Sequence, residues 1–223
     1  MRVSREKKDQ SHERIVAGAA CLFRERGLEG ASVGEVMQGA GLTHGGFYKH
    51  FGSKEALAAE ALGAAFDQTM SYLQSRLESG EADAAVADFR AFYLSQGHVD
   101  QPGIGCPVAA LGGEVGRGSE SLKRAFGAGV KRMAAALARG VEGSARARRE
   151  GAMRELALLV GALVIARASD PETARDVLAA CSGGPGVARS ASGQHEAVHP
   201  MPIGQSAADG VPVSPEEVCT NPF

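Results

Sequence analysis

The stretch from Ser32 to Lys54, SVGEVMQGAGLTHGGFYKHFGSK, gathers groups that can act on a polyanion. His44, Tyr48, Lys49, His50 and Lys54 offer ring N–H, hydroxyl and ammonium donors, interleaved with Phe47 and Phe51. The segment reads as a short helix, a glycine turn and a second short helix. Such an arrangement can lay one helix in a DNA groove and clamp the flanking phosphates with its neighbours.

The elements that must position these groups are legible around them. Ser32 and Glu35, three apart, form a capping box, each side chain satisfying the other's orphan amide. Val33, Val36, Met37 and Ala40 give that helix its apolar face, and Gly39 and Gly41 end it. Gly41 suits a position of positive φ, which turns the chain sharply. Leu42 follows as a buried hinge, and Thr43 can cap the third helix. Upstream, the spacing of Ile15, Ala19, Leu22 and Phe23 predicts a helix from about Ser11 to Arg26, capped by Ser11 and stopped by Gly27. Gly18 inside it costs roughly 1 kcal/mol relative to alanine. Downstream, Ser53 opens a longer helix striped by Leu57, Leu62, Phe66, Met70, Leu73 and Leu77, which Gly80 closes.

The remaining chain continues in the same style. Helices are expected over 82–97, 106–115, 119–142, 147–168 and 171–181, with a break between Gly97 and Gly105. Leu156, Leu159, Val160, Leu163 and Val164 form one stripe, and Leu158, Ala162 and Ile165 a second. A helix apolar on two faces is buried on two sides. After Ser182 the chain is rich in Gly, Pro and Ser without period, so a disordered tail over 182–223 is expected.

Composition narrows the class. Of 223 residues, 44% are hydrophobic and only 5% aromatic, and Ala- and Leu-rich runs favour an all-α protein. A net charge of -2 argues against a protein that coats nucleic acid indiscriminately. A sequence-specific binder needs only a locally basic face. Arg2, Arg5, Lys7 and Lys8 add charge to the N-terminal arm. Cys21, Cys106, Cys181 and Cys219 show no CxxC pair, so neither a disulfide framework nor a zinc site is expected, and a reduced cytoplasmic setting is the simplest reading. No signal peptide and no membrane span are expected. No cofactor is implied.

Over residues 10 to 60 the chain resembles the DNA-binding domain of the TetR/AcrR family of bacterial transcriptional regulators. The resemblance rests on ASVGEVMQGAGLTHGGFYKHFGSKEAL, with the aromatic pair Phe47 and Tyr48, then His50, Phe51 and Lys54. It implies a helix-turn-helix domain over 8–68, a ligand-binding and dimerisation domain over 69–181, and the tail. It further implies that His44, Gly45, Gly46 and Lys49 face DNA bases, the glycines allowing close approach. Ser32, Thr43, Tyr48, His50 and Lys54 would meet phosphates, while Phe47 and Phe51 pack inward. The partners implied are a double-stranded, palindromic operator and a second copy of the chain, joined through the last two helices.

In the second domain, Met70, Leu73, Phe89, Phe92, Tyr93, Phe126 and Met133 could line a pocket for a small apolar effector, or could simply be core. Cys106 admits two readings. Opening a helix, it is a thiol whose pKa the helix terminus lowers, hence a sensor of electrophiles or oxidants, as in similar members of the family. Alternatively it is a small buried apolar residue. A repressor is the leading function. An activator of the same fold, or a cysteine-dependent enzyme using Cys106 with His98, are the competing readings. No nucleophile elbow or phosphate loop supports the enzyme. His195 and His199 in the tail make a weak metal pair.

Overall fold

The structure is a computed structural model that describes residues 5–78, 80 and 82–183. The tail expected after Ser182 falls, from residue 184 on, outside the described residues, as do Arg2, His195, His199 and Cys219. Among the described residues the regular elements are all helical, as the alanine and leucine content predicts. They are α1 (Arg5–Gly30), α2 (Val33–Gly39), a 3-10 helix (His44–Lys49), α3 (Lys54–Glu78), α4 (Ala82–Tyr93) and α5 (Gln96–Asp100). A 3-10 turn (Pro102–Ile104), α6 (Pro107–Arg117), α7 (Glu120–Leu137), a 3-10 turn (Ala138–Gly140), α8 (Ala145–Arg167) and α9 (Pro171–Ser182) follow.

The chain forms two compact units, one built from 5–69 with 102–130, the other from 70–101 with 131–183. The first holds the helix-turn-helix. Its core is α1 (Ile15, Ala19, Phe23), α2 (Val36, Met37), Phe47, Phe51 and the α3 residues Leu57, Ala61 and Leu62, joined by Leu111 and Val115 of α6. Burying a side chain of this size stabilises by roughly 1.5–3 kcal/mol, which more than offsets the propensity cost of Gly18. Helix α1 starts earlier than expected, at Arg5, and Ser11 lies inside it with its hydroxyl donating to the Lys7 carbonyl at 2.8 Å. Continuous i→i−4 bonding through the polar N-terminal arm makes a cap at Ser11 unnecessary.

Gly27 does break α1, at φ 81. The amide freed there, on Leu28, donates to Glu114 Oε2 of α6 at 2.8 Å. Three residues before the kink, the buried Arg24 guanidinium donates from Nη1 to the Gly105 carbonyl at 2.9 Å and from Nε to that of Ala20 at 2.8 Å. A third bond reaches Gln68 of α3. The chain leading to Cys106 is thus fixed to α1 and α3.

Later in this unit Gly129 of α7 lies against the fully buried Phe66, whose ring meets Phe126 edge-on at 5.9 Å between centroids. A Cβ on Gly129 would be driven into the Phe66 ring. Gly129→Ala is therefore expected to lower stability by about 1–3 kcal/mol, because overpacking outweighs the gain in helix propensity. Urea unfolding with a reduced midpoint and an unchanged slope would register it; an unchanged midpoint would contradict the packing.

The second unit departs from the expected elements at two places. The helix expected over 119–142 ends at Leu137 and gives way to the 3-10 turn Ala138–Gly140. The helix expected over 82–97 ends at Tyr93, and α5 forms inside the expected break. Ser95 caps it, its hydroxyl accepting from the His98 amide at 3.2 Å, and the His98 ring bonds the Tyr93 carbonyl through Nδ1 at 2.9 Å. These local bonds let a five-residue helix form beside two glycines. Arg167 of α8 closes the turn by donating to the His98 carbonyl at 2.6 Å. Arg90 of α4 donates to Glu155 of α8 and to the Cys181 carbonyl of α9.

Candidate nucleic-acid interface

The capping box at α2 is complete. The Glu35 amide donates to Ser32 Oγ at 3.2 Å, and the Ser32 amide and hydroxyl donate to Glu35 Oε2 at 2.8 and 2.7 Å. These bonds from Ser32, with Arg26 adding charge and a 2.8 Å bond, hold the Glu35 carboxyl below its ordinary pKa. Because the folded value is depressed, this stabilisation is present above the usual carboxylate pKa and lost as pH falls through the folded value. The hydroxyl proton of Ser32 is committed to Glu35, so donation to a phosphate would require giving up that bond.

Helix α2 ends as its glycines predict. Gly41 has φ 69, its amide donates to the Gln38 carbonyl at 3.0 Å, and that of Leu42 to Met37 at 2.9 Å. This paired closure satisfies two orphan carbonyls and reverses the chain within a few residues. Thr43 then occupies the expected cap position with extended backbone, but its hydroxyl makes no capping bond. The element it opens is a 3-10 helix rather than the expected α-helix. Gly45 and Gly46 weaken the α form, and a run this short suits the tighter i→i+3 pattern.

The 3-10 period sorts the side chains. Phe47 is 1% exposed, stacks on Phe51 at 5.6 Å and anchors the segment. Three residues on, His50 lies on the same side and is half-buried. His44, Gly45, Tyr48 and Lys49 are turned outward, Tyr48 at 73% exposure. Lys54, half-buried, is the first residue of α3, and Ser53 Oγ accepts from the Ala56 amide at 3.1 Å. A helix N-terminus with an ammonium group attracts an anion.

The two glycines differ. A Cβ on Gly46 would stand 3.4 Å from Met37 Cε, so its smallness serves close packing on α2. A Cβ on Gly45 would meet nothing within 4 Å. Gly45→Ala is thus expected to leave the fold intact or firmer by up to about 1 kcal/mol, yet to weaken DNA binding if backbone approach is its purpose. Thermal unfolding and duplex titration of the same variant separate the two effects; unchanged affinity would remove Gly45 from the interface.

Sequence reasoning passed over two neighbours of this segment, His12 and Glu60. His12 of α1 stacks on Phe51 at 4.6 Å, lies 5.9 Å from the His50 ring, and has Nε2 2.7 Å from Glu60 Oε2 of α3. Lys8, one turn earlier on α1, also acts on His50. Burial most of all, then His12, Lys8 and Lys49, push the His50 pKa below its ordinary value. The signal was available: Lys8, His12, Ile15 and Ala19 follow one face of α1, so His12 borders the core.

The matching family model, bacterial regulatory proteins of the tetR family, covers residues 15–61, the span just described. Residues 15–61 thus match the DNA-binding domain of the TetR family of bacterial regulators. Over 77 residues it is 36% identical to the A-factor receptor protein of Streptomyces griseus, covering 32% of this chain and 28% of that protein. Over 44 residues it is 46% identical to the transcriptional repressor KstR2 of Mycobacterium tuberculosis, covering 20% and 22%. The chain thus matches well under half of either relative's length. The fold likeness is wider. The reduced form of Escherichia coli NemR superposes with a TM-score of 0.64 at 25% identity, covering 79% of this chain and 99% of that one.

The other site residues fall as follows. Met70, Leu73, Phe89, Tyr93 and Met133 are buried and Phe92 half-buried, all in the second unit. Phe126 belongs to the first unit, on Phe66. Cys106 is fully buried at the N-cap of α6. Cys106 and Cys181 are not disulfide-bonded. His98 is buried, stacked on Phe92 at 5.1 Å. Among the described residues no cluster of metal-ligating side chains occurs, and no helix is long and apolar enough to cross a membrane.

Proposed function

We propose that this chain is a cytoplasmic transcriptional repressor that binds a palindromic operator as a homodimer and is released by an effector. One observation carries the reading. A six-residue helix is anchored inward by Phe47 and turns His44, Gly45, Tyr48 and Lys49 outward. Outward groups that bring donors but little apolar area suit a polyanionic groove rather than a protein partner. In this reading His44 and Lys49 read base edges. Tyr48, His50 and Lys54 hold phosphates, with Thr43 adding its hydroxyl.

Dimerisation is supported by α8. Leu156, Leu159 and Leu163 are buried, whereas Met153, Leu158, Val164 and Ile165 are between 39% and 48% exposed. A contiguous apolar face on a helix that already has a buried one marks an interaction surface. Two copies would set their recognition helices about 34–36 Å apart, one duplex turn. The buried aromatic and methionine side chains of the second unit favour an apolar effector. Full burial of Cys106 makes thiol sensing conditional on opening of the chain around it.

Selection of duplexes from a random pool by the purified chain, followed by sedimentation of the complex, tests the proposal. The expected product is an inverted repeat with half-sites one turn or a multiple apart, bound by two copies. Recovery of no enriched sequence would overturn it.

A further inference from the structure

Helix α1 does not stop at Gly27. It breaks there and continues to Gly30, and Ser32 then opens α2. The break has φ 81 and ψ 166, a conformation that is essentially open to glycine alone. Such a backbone persists only where its surroundings fix it, and here they act from both sides. From α6, Glu114 Oε2 accepts from the Leu28 amide at 2.8 Å. A Cβ on residue 27 would stand 2.5 Å from Glu114 Oε1, so glycine is needed there twice, for its φ and to admit the carboxylate. Leu28 is buried in the same core cluster as Leu111 and Val115 of α6. Towards α2, Arg26 bonds Glu35 of the capping box at 2.8 Å. The turn leading into α6 is equally fixed: Arg24 bonds the Gly105 carbonyl, and a Cβ on Gly103 would stand 2.6 Å from Glu25 Cγ.

We propose that Glu114 is a positioning residue for DNA recognition. By occupying the Leu28 amide it holds the Gly27 break in one geometry, and that geometry sets the angle at which α2 and the recognition segment meet the groove. Glu114 acts through α1 and touches no DNA. This role rests on the DNA-binding reading above and assigns part of its specificity to a residue on α6.

Reach, not charge, is what the contact requires. A buried amide left without an acceptor disfavours the conformation that strands it, by roughly 5- to 100-fold. The end of α1 then takes up other angles, and affinity falls with the fraction of chains that keep the competent one. No phosphate contact is removed, so binding that ignores sequence is spared and its salt dependence is unchanged.

The experiment titrates the selected operator and a scrambled duplex at several salt concentrations. It compares the wild-type chain with Glu114→Ala, Glu114→Asp and Glu114→Gln, well below the melting temperature measured for each. Glutamine keeps an acceptor oxygen at the same reach. Aspartate keeps the charge but withdraws it by one methylene, and alanine removes both. Glu114→Ala and Glu114→Asp should lose roughly 5- to 100-fold on the operator, lose little on the scrambled duplex, and keep the salt slope of the wild type. Glu114→Gln should recover most of the operator affinity. A folded Glu114→Ala chain with wild-type operator affinity would overturn the role. So would equal losses on both duplexes, which mark general damage to the domain. If Glu114→Ala does not fold, the other two variants decide: equal operator affinities of Glu114→Asp and Glu114→Gln would overturn it. Each of these results leaves operator binding by the wild type intact, whereas a wild-type chain that retains no duplex would overturn both readings.

Discussion

The Tyr48→Phe, Lys54→Ala double variant is expected to bind operator about 2–4 kcal/mol more weakly per protomer. The figure sums one neutral hydroxyl bond and one charge-assisted contact, at about 0.5–1.5 and 1.5–3 kcal/mol. Tyr48 is the most exposed of the large hydrophobic side chains, at 73%. Its removal to phenylalanine changes nothing but the hydroxyl. Lys54 opens α3, where an ammonium group and the free helix amides can attract one anion. Both contacts would go to phosphate, so the loss should be similar on every duplex sequence. The slope of log affinity against log salt should become shallower by about one per protomer. Titrations on the selected operator and on a scrambled duplex at several salt concentrations check this. An unchanged affinity would count strongly against the assignment. A loss confined to the operator would mean that these side chains read bases instead.

Phe47→Ala is expected to cost about 3–5 kcal/mol of stability, the range for deleting a buried aromatic ring. Phe47 is 1% exposed, stacked with Phe51 at 5.6 Å and edge-on to Tyr48 at 5.3 Å. It is also the single buried side chain of the recognition segment. Domains of this kind are stable by only about 5–15 kcal/mol, so the variant should lose a large share of that margin. It should lose DNA binding with it, because nothing else inside the segment holds it to the core. Phe47→Leu, which keeps most of the volume, should retain both properties within about 1.5 kcal/mol. Denaturant midpoints of the two variants decide the matter. An alanine variant as stable as the parent would mean that the segment is held from elsewhere.

Both expectations rest on residues that could be named before any coordinates, because the helix-turn-helix is coded locally. A capping box, a paired closure at Gly41 and a phenylalanine anchor each act over a few residues. Their types and spacing therefore suffice to place them. The longer helices followed from the same logic, since apolar periodicity marks α3, α7 and α8 plainly. The kind of helix at His44–Lys49 was less legible. It depends on a small energy difference between two hydrogen-bond patterns in a glycine-rich segment. The short α5 was missed because its stability comes from Ser95 and the His98 ring, which hydrophobic period does not record.

What the sequence determined by itself is the resemblance of its N-terminal part to the TetR family, the all-helical class and the candidate residues for DNA contact. Each depends on chemistry within one or two helical turns. Tertiary structure decided what lies between distant positions. It placed His12 beside His50, engaged Glu114 with the Gly27 kink, and bound the turn before Cys106 to Arg24. It also split the α8 stripes differently, sending Val164 outward and Ala162 inward. These contacts join residues tens of positions apart. No local spacing encodes them, since they arise only when helices pack and the charges they carry are brought into one neighbourhood.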